Sequence, residues 1–461
     1  MTIYIYPLIH SLEADKLEYI ERAAVHVDKN GTITQVERLE SDKVYNDEEI
    51  ISAQENEFLI PGFVDTHAHA PQFANIGYGF NLELLDWLHE VTFPTEANYE
   101  DVEMAQSDFS RVVAATLSVG VSGVFFEMGT TTCSYYSSLH LEATKILATA
   151  CHNLVFLQVS IDSELGQRAL VGKVNMDQNC PEYYRDQSAE ISFEQTKEYV
   201  DYVKHTLKSS LVHPVITPRF AICCSPELLS QLGDYIKNEN LHMQTHLSEN
   251  KGEIDFTLKL YPNDETYTHI YANRGLLTDK TILAHCCHLS DIEIDLIKKH
   301  NSGISHCPTS NFHLRSGITD VDKLINGGLK KIGLGSDCSA GYEMGILQTL
   351  RTASTASKAL AMVHEKDTYL RVDRLFYLAT LGGARVLDLD KQIGNFLVGK
   401  QFDALIINPY TANNRSLFNS VKQSDLSPLE RLKRDFERYL FAGTASNIQS
   451  VIVDGKFVLE K

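Results

Sequence analysis

Neither a Cys-x-x-Cys pair, nor a long apolar run, nor an excess of basic residues occurs in this chain of 461 residues. Its nine cysteines are scattered, with Cys223–Cys224 and Cys286–Cys287 adjacent. An odd count in that arrangement suits small hydrophobes in a reducing compartment better than a disulfide framework. The opening Met1-Thr-Ile-Tyr-Ile-Tyr-Pro7 lacks a basic region followed by an apolar stretch, so no secretory signal is expected. Without a run of about 18 apolar residues, a membrane-spanning helix is not expected either. Lys and Arg number 41 against 61 Asp and Glu, a net charge of −20. That balance argues against a nucleic acid or an anionic membrane as partner, and favours neutral or cationic small ligands. The expectation is a globular cytoplasmic protein.

What is present begins with strand-like termini. Residues 24–27 and 32–36 flank Asp28-Lys-Asn-Gly31 and read as a hairpin with an Asn-Gly turn. Residues 403–408 and 450–458 have the same character. This suggests one small β domain assembled from residues 1–58 and 392–461, although separate N- and C-terminal extensions would look similar. Between them, apolar strands alternate with helical segments, the mark of βα units. Strands are predicted at 154–161, Pro214–Thr217, Leu241–His246, Thr281–His285, Gly303–His306 and Lys331–Gly335, with helical periodicity over Glu194–Leu207 and a helix start at Ser225-Pro-Glu227. So many βα units predict a (β/α)8 TIM-like barrel over residues 59–391. An open doubly wound sheet is the alternative, but its Gly-rich phosphate turn is missing.

In a barrel, chemistry collects where strands end. Phe63-Val-Asp-Thr-His67-Ala-His69 closes on two histidines that share one face of an extended backbone. Other strands run into Arg219-Phe220, His246 with Glu249 beyond it, His285, and Asp337. Singly, each has an ordinary explanation. His246 or His285 would serve as a hydrogen-bonded core histidine, Asp337 as a helix cap, Glu249 as a first-turn acid, and Arg219 as the partner of a surface carboxylate. Jointly, His67, His69, His246 and Asp337 make three nitrogens and one oxygen, the donor set of a catalytic zinc with one open position.

Pro61-Gly-Phe-Val-Asp-Thr-His-Ala-His69, Thr245-His-Leu-Ser-Glu249, Ala284-His285 and Gly335-Ser-Asp337 resemble the amidohydrolase superfamily. A finer likeness lies in His69-Ala-Pro-Gln72, Leu85-Asp-Trp-Leu88, Thr92-Phe-Pro-Thr95, Val171-Gly-Lys-Val-Asn-Met176, Ile216-Thr-Pro-Arg-Phe220, His306-Cys-Pro-Thr-Ser-Asn311 and Ala379-Thr-Leu-Gly-Gly383. These stretches resemble the branch of that superfamily that deaminates guanine, and the likeness runs from about residue 24 to the C-terminus. The resemblance implies the barrel, a small β-sandwich, a homodimer, guanine and water as the reacting partners, and one Zn²⁺ per subunit on His67, His69, His246 and Asp337. It implies Glu249 as proton carrier, Asp337 as ligand and acceptor of the water's proton, and His285 as the group that orients the nucleophile, with contact to the metal left open. Gln72, Arg219 and Phe220 match positions that contact guanine, beside the metal-site residues His69, His246 and Asp337, while Trp87 is either ring packing or lid packing. A second, lysine-bridged metal is not expected, because Pro218-Arg219-Phe220 stands where the bridging lysine would be. A different aminated heterocycle as substrate, or a non-catalytic relative, are the competing readings.

One segment departs from the pattern. Gly120 is followed by Val-Ser-Gly-Val-Phe-Phe-Glu-Met128 before Gly129-Thr-Thr-Thr132, so about eight to ten residues are additional. A tolerated loop, a shifted second strand and retained non-coding sequence are the alternatives; an apolar insertion is unusual for an exposed loop, which favours the last. Thr309 also replaces an expected asparagine.

Overall fold

The computed structural model describes the chain except residues 41, 42, 44, 46–48, 118–127, 154–165, 412, 413, 415–425 and 461. Its larger part is a barrel of parallel strands: β1 Phe63–His69, β2 Thr130–Tyr136, β3 Arg168–Gly172, β4 Val212–Pro218, β5 His242–Leu247, β6 Thr281–His285, β7 Gly303–His306 and β8 Ile332–Leu334. Each pairs with the strand before it, as chain-ordered βα units require. Between β8 and β1 the ring is closed by other bonds. Thr66 Oγ1 donates to the Leu334 carbonyl (2.9 Å), Ser336 N donates to Asp65 Oδ1 (3.0 Å), and Asp337 N donates to the His67 carbonyl (2.9 Å). These bonds bring the ends of the first and last strands together.

The interior is packed and partly polar. Gln244 accepts from Ser134 Oγ (2.7 Å) and donates to the Tyr135 carbonyl and Thr217 Oγ1 (3.0 Å each). Most polar atoms buried so deeply have such a partner. Gly335 is required by closeness: a Cβ there would lie 2.5 Å from Ser305 Oγ and 2.8 Å from the His67 Cβ.

The connecting helices start where the caps stand. Ser225 accepts from Leu228 N and Pro226 opens the helix Pro226–Glu239, which buries Leu228, Leu229, Leu232 and Ile236 along one stripe. Asn250 with Glu253, and Ser290 with Glu293, form capping boxes at the next helices. The predicted helix over Glu194–Leu207 begins earlier, at Ala189, because Ser188 caps it, and its last turn widens over Tyr202–Leu207. The strand predicted at 154–161 lies outside the described residues. So does most of the additional segment. The Gly129-Thr-Thr-Thr132 stretch after it does enter β2, with Thr130 opposite Phe63.

The termini form one sheet from both ends of the chain, in which Thr2–Glu13 pairs with Lys16–Val27 and Phe58–Pro61, and Ala404–Ile407 joins Phe58–Pro61 to Ile448–Val453. Tyr4, Tyr6, Leu8 and Val25 of this sheet pack with Phe396, Phe402, Ile406 and Ile452 in one buried cluster. Its hairpin is the predicted one, Lys16–Val27 with Ile33–Arg38. The chain leaves this sheet at Gly62 and enters β1 one residue later. Arg168, at the start of β3, is buried against Asp403 (3.0 and 3.3 Å) and Asp454 (3.4 Å), tying the barrel floor to the terminal sheet.

Candidate active site

The far ends of β1, β5, β6 and β8 converge. His67 Nε2 lies 3.1 Å and His69 Nε2 3.4 Å from Asp337 Oδ1, and His69 Nε2 lies 3.3 Å from His246 Nε2. One donor atom from each of these four residues falls within 4.8 Å of the others. The period of two along β1 and the bond of Asp337 N to the His67 carbonyl produce this closeness.

The protons can be assigned. His246 Nδ1 is 2.7 Å from the Arg219 carbonyl, which only accepts, so Nδ1 carries the hydrogen and Nε2 of the neutral ring presents a lone pair. Both ring nitrogens of His67 are buried without a hydrogen bond, as is Nδ1 of His69. Burial lowers the pKa of all three imidazoles, that of His69 and His246 well below the usual value with help from their histidine neighbours. They are therefore neutral, the form that ligates. Burial disfavours the Asp337 carboxylate, but the close contact with His67 and the attraction of His285 outweigh it and hold the group far below its ordinary range. Bare nitrogens aimed at one another beside an ionised carboxylate are costly unless a cation sits among them. The donor set fits a divalent metal with nitrogen and oxygen preference.

Two further groups face the same point. His285 has φ 69° and Asp337 φ 46°, left-handed conformations that cost about 1–3 kcal/mol each and concentrate at functional sites. His285 Nδ1 meets Asn311 Oδ1 at 2.9 Å, which turns Nε2 toward Glu249 Oε2 (3.4 Å) and Asp337 Oδ2 (3.7 Å). Burial opposes its cation, yet Glu249 and Asp337 prevail and raise its pKa. Glu249 is buried, and Ser316 Oγ donates to its Oε1 (2.8 Å), leaving Oε2 facing His285. Burial raises the Glu249 carboxyl above its usual range despite the pull of His285. His285 stands outside the four-residue set.

The pocket over this centre is walled by Gln72, Trp87, Arg219, Phe220 and Leu314. Trp87 lines the pocket and is 2% exposed, its Nε1 donating to the Tyr78 carbonyl (3.4 Å). Every residue singled out from the sequence thus reaches one centre. Of their ordinary explanations, the helix cap fails for Asp337, since no helix begins until Ile346, and the first-turn acid fails for Glu249, which lies before the Asn250 cap of the helix Lys251–Leu260. Arg219 does pair with a carboxylate, but with the buried Glu96 rather than a surface one: Nη1 donates to Oε2 (2.6 Å) and Nη2 to Oε1 (3.1 Å). Sequence reasoning missed Glu96, Asn311 and Ser316 as supporting groups. The only signal for Glu96 was its place directly after Thr92-Phe-Pro-Thr95.

Residues 58–458 match the model of the amidohydrolase family. A guanine deaminase of Dictyostelium discoideum is 40% identical over 97% of this chain and 96% of its own length. That of Escherichia coli is 34% identical over 87% and 83%. A crystal structure of guanine deaminase from C. acetobutylicum with bound guanine in the active site superposes with a TM-score of 0.86 at 35% identity, covering 99% of this chain and 100% of that one. An alignable sequence, the same barrel and a matching family model over most of the chain leave one assignment: this chain belongs to the amidohydrolase family, within its guanine deaminases.

Proposed function

We propose that this chain hydrolyses guanine to xanthine and ammonia, with one zinc ion per chain held by His67, His69, His246 and Asp337. The observation that carries the reading is the convergence of three neutral imidazoles and an ionised carboxylate beside Glu249, under a pocket walled by Arg219 and Gln72. When bound, zinc supplies a water of pKa near ~7 as nucleophile. The remaining steps belong to the chain's own groups. Glu249 Oε2, free of the Ser316 bond, carries a proton from the attacking water to the ring nitrogen, and Asp337 accepts the second proton destined for the leaving amine. His285, held through Nδ1 by Asn311, turns Nε2 toward the charge that develops on the reacting carbon's substituents. Arg219 and Gln72 meet the hydrogen-bonding edge of the purine, and Phe220 and Trp87 pack on its faces. A pocket built on such bonds rejects adenine by about 10⁴, because the wrong edge leaves buried donors unpaired.

Purified protein analysed for metal and assayed for ammonia release from guanine tests the reading. One zinc per chain with no ammonia from guanine would overturn it. The same reading carries a homodimer, checked by light scattering, and a cytoplasmic location, in keeping with nine unpaired cysteines. Among the described residues no helix is long and apolar enough to cross a membrane.

A further inference from the structure

Glu96 sits behind the pocket wall, fully buried, and is bound from three directions. Gln72 Nε2 donates to Oε1 (2.7 Å), the Arg219 guanidinium clamps both oxygens, and Tyr184 OH donates to Oε2 (2.8 Å). Gln72 and Arg219 are the two polar side chains proposed to meet the purine edge. A single carboxylate thus orients both. Its bond to Nε2 fixes which way the Gln72 amide faces, and Gln72 Oε1 in turn accepts from Ser339 N (3.4 Å), two residues beyond Asp337. Phe93, three residues before Glu96, lies under the guanidinium, with the Arg219 Cζ 5.2 Å from its ring centre. The ion pair is out of water at both ends, with Arg219 2% exposed. Buried charges need such pairing, and a buried arginine without its carboxylate would demand an anion from the ligand.

We propose that Glu96 is a positioning and specificity-determining residue: it aligns Arg219 and Gln72 for a neutral purine, and by balancing the arginine's charge it keeps the pocket from favouring anionic rings. The proposal rests on the guanine reading above. Its consequence concerns the product. Xanthine loses a ring proton near neutral pH, whereas guanine stays neutral there, so a pocket whose arginine is already neutralised binds the substrate and releases the anionic product. Uncovering the arginine charge would reverse that preference.

The test is steady-state kinetics on zinc-loaded wild type, Glu96→Gln and Glu96→Asp, with xanthine as the inhibitor across pH 6 to 9. Glu96→Gln removes the charge but little volume. Its KM for guanine should rise about tenfold while kcat falls much less, the split expected when binding groups lose their alignment. Xanthine should inhibit it about tenfold more tightly than wild type, and increasingly so as pH rises through the xanthine ionisation. Glu96→Asp keeps the charge on a shorter arm, so its KM should rise while its xanthine inhibition stays at the wild-type level. A Glu96→Gln enzyme with wild-type KM and wild-type xanthine inhibition overturns the proposal. If that variant does not fold, Glu96→Asp decides alone: a loss of kcat at unchanged KM, or a gain in xanthine affinity, overturns it equally. Failure of wild type to release ammonia from guanine sinks the functional reading instead, so the two failures are told apart.

Discussion

Replacing Glu249 by glutamine isolates proton transfer from everything else at this centre. The side chain keeps its shape, Ser316 Oγ can still donate to the remaining carbonyl oxygen, and the bond from the backbone N of residue 249 to Glu253 Oε2 (2.9 Å) is untouched. None of the four donor atoms belongs to Glu249, so zinc content should not change. What disappears is a group able to take and give a proton, worth about 10²–10⁴ in rate, or roughly 3–5 kcal/mol of barrier. The assay is xanthine formation from guanine at saturating substrate, with zinc measured on the same sample. A variant with full zinc and kcat within about threefold of wild type would refute the role of Glu249. Stability supplies a second readout with the opposite sign. Burial raises this carboxyl above the usual 4.5, so as pH climbs the unfolded chain loses that proton before the folded one. Ionised Glu249 therefore costs stability in the chelated protein above the ordinary carboxylate pKa, and the cost is complete above its raised value. Chelated Glu249→Gln should melt at or above chelated wild type at pH 7, with the difference vanishing near pH 4. A variant less stable at pH 7 than at pH 4, relative to wild type, would contradict this.

Other perturbations separate the parts. Asn311→Ala frees His285 Nδ1 and should lower kcat about 10–100-fold with zinc retained; nitrogen NMR showing the same His285 tautomer in both proteins would speak against it. Removing zinc with a chelator should lower the melting temperature, since zinc at 1,000 times its dissociation constant adds about 4 kcal/mol to folding. Melting unchanged after verified removal would contradict the four-residue set. Arg168→Ala leaves Asp403 buried without its guanidinium and should cost about 3–5 kcal/mol in denaturant unfolding. Because Arg168 lies at the barrel floor, kcat per folded, zinc-loaded chain should stay as in wild type, and a matching loss of kcat would show that the floor and the pocket are coupled.

The barrel was legible because most of its strands are short apolar runs punctuated by a ligand-type residue; Thr130–Tyr136 and Arg168–Gly172 lack that signature, and the latter is not among the predicted strands. Thr281–His285 and Gly303–His306 have the predicted limits. Pro214–Thr217 proves longer, Val212–Pro218, since Val212 and His213 pair with Ala169 and Leu170 across the sheet, a partnership local sequence does not contain. Lys331–Gly335 shrinks to Ile332–Leu334 for the complementary reason: at its end, Gly335 and the residues after it bond back to β7 and β1 outside the ladder. The supporting groups were harder to read. Ser316 reaches Glu249 across 67 residues and Glu96 reaches Arg219 across 123, and neither residue type stands out where it occurs. Ligands announce themselves by chemistry, whereas the groups that orient them are defined only by the tertiary structure.

Arg219 shows how closely the two functions of the pocket are joined and where they part. Its backbone carbonyl fixes the proton on His246 Nδ1 and so leaves Nε2 bare for the proposed metal, while its guanidinium, held by Glu96, walls the pocket proposed for the substrate. The carbonyl depends on the path of the chain at the end of β4, where Arg219 N donates to the Asn175 carbonyl (3.2 Å) and His246 N donates back to the Arg219 carbonyl (3.3 Å). Any side chain at this position presents the same carbonyl. On the proposed reading, metal binding is built into the backbone of adjacent strands, and substrate choice into a side chain that can change without disturbing it. A barrel arranged in this way can keep one hydrolytic centre while its wall is rebuilt for another ring.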